Sequence, residues 1–130
     1  GEIMKLDLDC MRDTLLWLED REYGEASDAG QMIAALSKYS ADTVRYTVQK
    51  LNEAEFINAD IYGMINGGIE FSVKDITYNG HQFLADVRSP KVWNAFKDIA
   101  PQIGVASVSS AAQIVTNIVT VLIKNHFGIC

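Results

Sequence analysis

Apolar positions recur at helical spacing through the first third of the chain. Met11, Leu15 and Leu18 fall on one face of a predicted first helix, Leu8 to Arg21. A polar stretch follows, and then the apolar spacing predicts a second helix, Ala29 to Tyr39. The candidate N-caps are Asp7 or Asp9 for the first helix and Ser27 or Asp28 for the second.

A third helix is predicted directly after the second, with its cap at Ser40. Val44, Val48 and Leu51 mark its buried face, and Asp42 lies in the first turn, where the helix dipole favours a negative charge. Two helices joined by so short a turn form a helix-turn-helix arrangement, in which the later helix commonly reads DNA.

The pattern then changes from helical spacing to alternation. Phe56 to Met64 and Ile69 to Ile76 predict two strands joined by a turn at Asn66-Gly67-Gly68. Thr77 can cap the helix that comes next. Gly80 in the first turn of that helix indicates a close backbone contact, because glycine otherwise costs helix stability.

Two further helices are predicted near the end of the sequence. Ser89-Pro90 marks the start of one, with serine as cap and proline at the first helical position, and Pro101 and Gly104 are expected to interrupt it. Val105 to Asn125 predicts the other, which is apolar around most of its circumference and needs burial on two sides. Its narrow polar stripe consists of Gln113, Thr116, Asn117, Thr120 and Lys124.

Three arrangements would bury this last helix: packing within its own domain, pairing with a second subunit, or crossing a membrane. It is long enough for a span, but Gln113 and Asn117 would then lie near the middle of the bilayer, where polar groups are costly. We therefore expect a core or subunit contact, with a homodimer favoured, and no membrane partner. The candidate interface residues are Ile114, Ile118, Val121 and Leu122.

The net charge of −6 is unevenly distributed. Gly1 to Asp28 carries nine acidic and three basic residues, whereas the rest of the chain has eight of each. Nucleic-acid binders typically show a basic patch, so this distribution argues against tight non-specific DNA binding. The acidic first helix is either a docking surface for a basic partner or an ordinary solvated face.

Few residues suggest chemistry. Cys10 and Cys130 are too few for a disulfide scaffold, and His81 and His126 lack ligand-spaced partners. No phosphate loop, nucleophile elbow or zinc-protease pattern occurs. We therefore expect no catalytic residues, no metal and no cofactor. The free cysteines, and the short charged stretch before the first helix, favour a cytoplasmic protein.

The exposed face of the third helix offers the candidate DNA contacts. Arginine can bond guanine, glutamine can bond adenine, and tyrosine and lysine can contact phosphates. The predicted hairpin would form the wing of a winged helix-turn-helix. It carries no Lys or Arg at its tip, which is typical of a purely structural hairpin. The candidate residues are Thr43, Arg45, Tyr46, Gln49 and Lys50.

Several blocks of sequence together resemble a known family. The blocks are Met4 to Glu19, Tyr46 to Ile57, Ile76 to Arg88 and Lys91-Val92-Trp93. They look like a family of short, uncharacterised bacterial and prophage-borne proteins that is known only as a domain of unknown function. The resemblance implies a winged-helix-like domain and a mobile-element setting, and it transfers no catalytic or ligand residues. Glu55 departs from the glycine that winged-helix regulators often have at this corner.

The sequence thus predicts a mainly α fold with one β-hairpin, an α+β winged helix-turn-helix over residues 1–88. Residues 89–130 form a helical extension that packs or dimerises. The function predicted first is binding of double-stranded DNA by a small regulator. The alternative is a protein-interaction module that reuses the fold without binding DNA.

Overall fold

The fold combines helices with an antiparallel sheet. The computed structural model describes residues 4–65, 68–105 and 107–128. Along these residues the elements are α1 (Leu8–Glu19), β1 (Ser27–Asp28), α2 (Ala29–Ala35), α3 (Ala41–Glu53), β2 (Ile57–Gly63), β3 (Ile69–Ile76), α4 (Tyr78–Val87), α5 (Pro90–Ile103) and α6 (Val108–Phe127). The expected α+β class is therefore confirmed.

The chain divides into two compact units, Gly1–His81 and Gln82–Cys130. The predicted domain boundary lies a few residues later, after Arg88. The first unit holds the sheet and the three helices that precede the hairpin, and the second holds α5 and α6.

The N-terminal caps follow from local chemistry. Asp7 accepts from the Cys10 amide at 2.9 Å, and Ser40 accepts from the Thr43 amide at 3.1 Å. Asp28 forms a capping box with Gln31, in which each side chain accepts from the other residue's backbone amide. The predicted starts of α1, α2 and α3 are confirmed, whereas α1 and α2 end earlier than the predicted Arg21 and Tyr39.

The sheet has three strands in the order β1-β3-β2, all antiparallel. The predicted hairpin of β2 and β3 is confirmed, but a third strand, β1, was not predicted. It pairs Ser27 with Val73 and Asp28 with Ser72. Two polar residues show no periodicity and have low strand propensity, so the sequence pattern does not reveal this strand. In the predicted turn, Asn66 and Gly67 lie outside the described residues.

The sequence block after β3 forms the corner between α3 and the hairpin. The Thr77 hydroxyl donates to the Glu55 carbonyl at 2.6 Å and accepts from the Gly80 amide at 3.0 Å. A Cβ on Gly80 would collide with the Phe56 carbonyl oxygen, which confirms the predicted close contact. Glu55 has φ of 63°, the left-handed conformation that favours glycine.

The second unit departs from the predicted breaks. Pro101 lies inside α5, in its last turn, and does not interrupt the helix, contrary to the prediction. Gly104, with φ of 73°, ends it as expected. Ser89 makes no side-chain cap bond, contrary to the prediction, although Pro90 does occupy the first turn.

Candidate functional site

The predicted DNA-contact residues, which we call the α3 face (Thr43, Arg45, Tyr46, Gln49 and Lys50), are all partly buried. Arg45 is held by two carboxylates of its own chain. Its Nη2 lies 3.0 Å from Glu70 Oε1 on β3, and its Nη1 lies 3.4 Å from Asp42 Oδ1. The guanidinium that would read a guanine is therefore bound within the protein.

The other cation of the α3 face is also paired. Lys50 Nζ lies 2.7 Å from Glu53 Oε2 and 5.1 Å from the centroid of the Tyr46 ring. The hydrogen bond to Glu53 raises the pKa of Lys50. The hydroxyls of Thr43 and Ser40 share a hydrogen bond at 2.9 Å. The α3 face therefore brings the predicted residues together, but it presents a largely neutralised surface.

The end of the hairpin exposes apolar rather than basic side chains. Ile65 is fully exposed, and Tyr62 and Met64 are about half exposed. Lys74, further along β3, lies 3.3 Å from Asp60 on β2. Lys74 is the one basic residue in the sequence of residues 57–76, and its charge is paired with that of Asp60.

The first unit is strongly acidic as a whole. Residues 1–81 contain seven basic and fifteen acidic residues, a net charge of −8 with histidine neutral. Residues 82–130 contain four basic and two acidic residues, a net charge of +2. The unit that contains α3 and the β2–β3 hairpin therefore lacks the net positive charge that is typical of DNA-binding domains.

A cleft of about 620 Å³ opens beside the end of α1, and we call it the acidic cleft. Its walls are the end of α1, the loop before β1, the last residues of β3, and His81. Leu18 and Val73 are buried at its base, and Ile76 is half-buried. The charged side chains that line it are Glu19, Glu22, Glu25 and Asp75, with Arg21 and Lys74.

Sequence reasoning noted the acidic segment but did not find the cleft. The walls come from stretches some fifty residues apart, which the pairing of β1 with β3 and the packing of α1 on β3 bring together. The concentration of acids before Ala29 was the one signal available, and it did not distinguish a cleft from a solvated face.

Cys10, the cysteine within the described residues, is not placed to act as a nucleophile. Cys10 is fully buried with its Sγ 3.7 Å from Thr14 Oγ1, and burial raises the pKa of its thiol. A buried, protonated thiol is a poor nucleophile. Across the described ranges, no three His, Cys, Asp or Glu side chains converge on a point that could hold a metal ion.

The predicted α6 interface is only partly covered. Val108, Ala111 and Val115 are buried, but this burial is confined to one side of the first half of the helix. Val121 is 54% exposed and Phe127 is 70% exposed, and the candidate interface residues Ile114, Ile118 and Leu122 are partly buried. None of the helices that the structure describes has both the length and the apolar character to cross a membrane.

Comparison with known proteins places the chain in a family. A family model described as a hypothetical protein, DUF2513, matches residues 5–106. The chain is 29% identical to a Haemophilus influenzae protein described as uncharacterized, over 94 residues that cover 72% of this chain and 76% of the relative. No solved structure matches it significantly. Because the family model covers well over half of the chain, the protein belongs to the DUF2513 family of hypothetical proteins.

Proposed function

We propose that this protein is a protein-interaction module built on a winged-helix domain that does not use DNA as its main ligand. The fold part of the proposal is supported by the element order α1-β1-α2-α3-β2-β3 with strand order β1-β3-β2. In such a domain α3 occupies the recognition position and the β2–β3 hairpin forms the wing.

The observation that carries the function is the electrostatics of the first unit. DNA affinity comes largely from phosphate neutralisation by free Lys and Arg. Here the unit has a net charge of −8, and the two cations of the α3 face are bound to Glu70, Asp42 and Glu53. An acidic surface of this kind instead attracts a basic protein partner.

The test is recovery of the tagged protein from its own bacterium, with and without nuclease. We expect a stoichiometric complex with a second polypeptide, whose elution volume and composition do not change after nuclease treatment. Co-elution with nucleic acid, or dissociation of the complex by nuclease, would overturn the proposal.

DNA binding remains the second candidate, since the same strand order is used by many DNA readers. It requires Arg45 and Lys50 to leave their carboxylates on binding. If DNA is bound, replacing both residues by Ala should make the slope of log affinity against log salt shallower, by the amount expected for the loss of about two phosphate contacts. Unchanged salt dependence would remove these residues from any DNA interface.

A further inference from the structure

The acidic cleft lies against an incompletely covered edge of the sheet. On one side β3 is paired with β2 from Ile69 to Ile76, with a β-bulge that leaves Lys74 without a partner in the register. On the other side β1 covers only Ser72 and Val73. Beyond them, Lys74 to Ile76 have no neighbouring strand on this side among the described residues, and all three line the cleft.

The chain itself leaves this edge open. An extension of β1 towards the N-terminus would place Ala26 and Glu25 beside the end of β3. These two residues are instead outside the strand, exposed, and part of the cleft wall. An extended segment of another protein can therefore lie in line with β1 and pair with β3, as in other cases of strand addition.

The charges in the cleft favour a cationic segment. Glu22 and Glu25 are exposed, and neither carboxylate has a partner among the described residues. Asp75 accepts from Asn58 at 2.6 Å, which leaves its negative charge uncompensated.

The basic side chains of the cleft are engaged elsewhere. The Arg21 guanidinium lies 4.2 Å from the centroid of the Trp17 ring, and its Nε donates to the Trp17 carbonyl. Lys74 pairs with Asp60 on β2. Neither base is therefore paired with the carboxylates of Glu22 and Glu25, which remain available to a ligand.

We infer that the acidic cleft binds an extended, lysine- or arginine-bearing segment of a partner protein, which adds to the sheet as a short strand beside β3. Alternate side chains of a strand point to opposite faces. One set would contact Leu18 and Ile76, and the other would reach Glu22 and Glu25. The preferred segment thus alternates apolar and basic residues. This inference rests on the proposed function and names its site and ligand chemistry.

The test uses a fluorescent eight-residue peptide of alternating Lys and Val, titrated into the full chain by anisotropy and by amide NMR. We expect saturable binding, with shift changes concentrated at residues 18–27 and 73–76. A peptide of alternating Glu and Val should not bind. N-methylation of alternate peptide amides should abolish binding, because it removes the donors that a strand needs.

A matched pair of charge reversals locates the site. Glu25→Lys should weaken binding about tenfold or more, because it replaces attraction with repulsion at close range. Asp98→Lys makes the same change of charge at a residue that does not line the acidic cleft, and it should leave the affinity within about twofold.

The outcomes separate this inference from the proposed function. Equal effects of Glu25→Lys and Asp98→Lys, or full binding by the N-methylated peptide, would overturn the inference. So would the absence of binding by the Lys-Val peptide. None of these results would change whether a nuclease-resistant complex is recovered, and that recovery tests the proposed function separately.

Discussion

At the scale of single residues, the corner between α3 and the hairpin explains why a threonine and a glycine stand at positions 77 and 80. Thr77 bonds both Glu55 and Gly80, and Gly80 leaves room for the Phe56 carbonyl. Thr77 and Gly80 therefore have a structural role, because their contacts hold the end of β3 next to the end of α3. The conformational demands of this corner, rather than chemistry on a ligand, account for the residue types.

Gly80→Ala should lower the free energy of unfolding by about 2 kcal/mol or more, since backbone must move to admit the methyl group. Gly63→Ala is the matched control, because a Cβ there meets no atom within 4 Å. Urea denaturation of both variants measures the difference. Equal stability of the two variants would contradict the close approach at Gly80.

Tyr39, which lies between α2 and α3, is hydrogen-bonded to α1. Its hydroxyl donates to Asp13 Oδ2 at 2.5 Å, and Lys38 pairs with the same carboxylate at 3.5 Å. Burial, together with the Asp13 charge, raises the pKa of Tyr39 well above its ordinary value. The native state therefore retains the phenol proton at a pH where the unfolded chain releases it.

Tyr39→Phe should cost about 1–2 kcal/mol at pH 8, the value of a partly exposed hydrogen bond to a charged group. The difference in the free energy of unfolding between the wild type and Tyr39→Phe should shrink as the pH rises above about 10, because tyrosine then ionises in the unfolded chain. Denaturation at pH 8 and pH 10.8 measures both effects. The fully exposed Tyr23 provides the control in Tyr23→Phe. A difference that grows with pH would contradict the assignment.

At the scale of elements, the pair between Arg45 and Glu70 connects α3 to β3. Both side chains are less than a third exposed, at 29% and 27%, whereas those of Lys74 and Asp60 are 63% and 65% exposed. Solvent screens the second pair far more than the first. The pair at α3 thus holds the helix against the sheet and keeps its guanidinium from an outside ligand.

A double-mutant cycle with Arg45→Met and Glu70→Gln should give a coupling energy of about 1 kcal/mol. The same cycle on Lys74 and Asp60 should give about 0.5 kcal/mol or less, as is usual for exposed pairs. Thermal or urea unfolding measures both. A coupling at Arg45 no larger than that at Lys74 would show that the α3 cation is free.

The elements also show what periodicity can predict. The spacing of Val44, Val48 and Leu51 was sufficient for α3, because a buried stripe of a helix repeats over several turns. The long strands were predicted from alternation in the same way. Strand β1 and the acidic cleft were not predictable, since both exist only through contacts between segments that are distant in sequence.

At the scale of the whole molecule, the second half of α6 leaves apolar side chains exposed. Val121, Ile123 and Phe127 are each more than half exposed, although Leu122 is partly buried. Exposed apolar side chains on a helix are a feature of subunit contacts. The homodimer remains a prediction that a measurement of mass can decide.

Val121→Asp should raise the dissociation constant of the dimer at least about tenfold, because it places an unpaired charge in an apolar contact. Thr116→Asp, on the polar stripe and on the other side of the helix from Val121, is the control and should leave the dimer intact. Sedimentation equilibrium measures the masses. A wild-type chain that stays monomeric at 100 µM, about the range of weak dimers, would contradict the α6 interface.

We propose that the acidic first unit serves protein recognition rather than DNA binding. The most direct test is an anisotropy titration of the whole protein against a pool of short random duplexes, at about 50 mM and then 200 mM salt. We expect no binding at either salt concentration. Binding at low salt that weakens steeply as the salt concentration is raised would show phosphate contacts and would contradict the proposal that this protein does not use DNA as its main ligand.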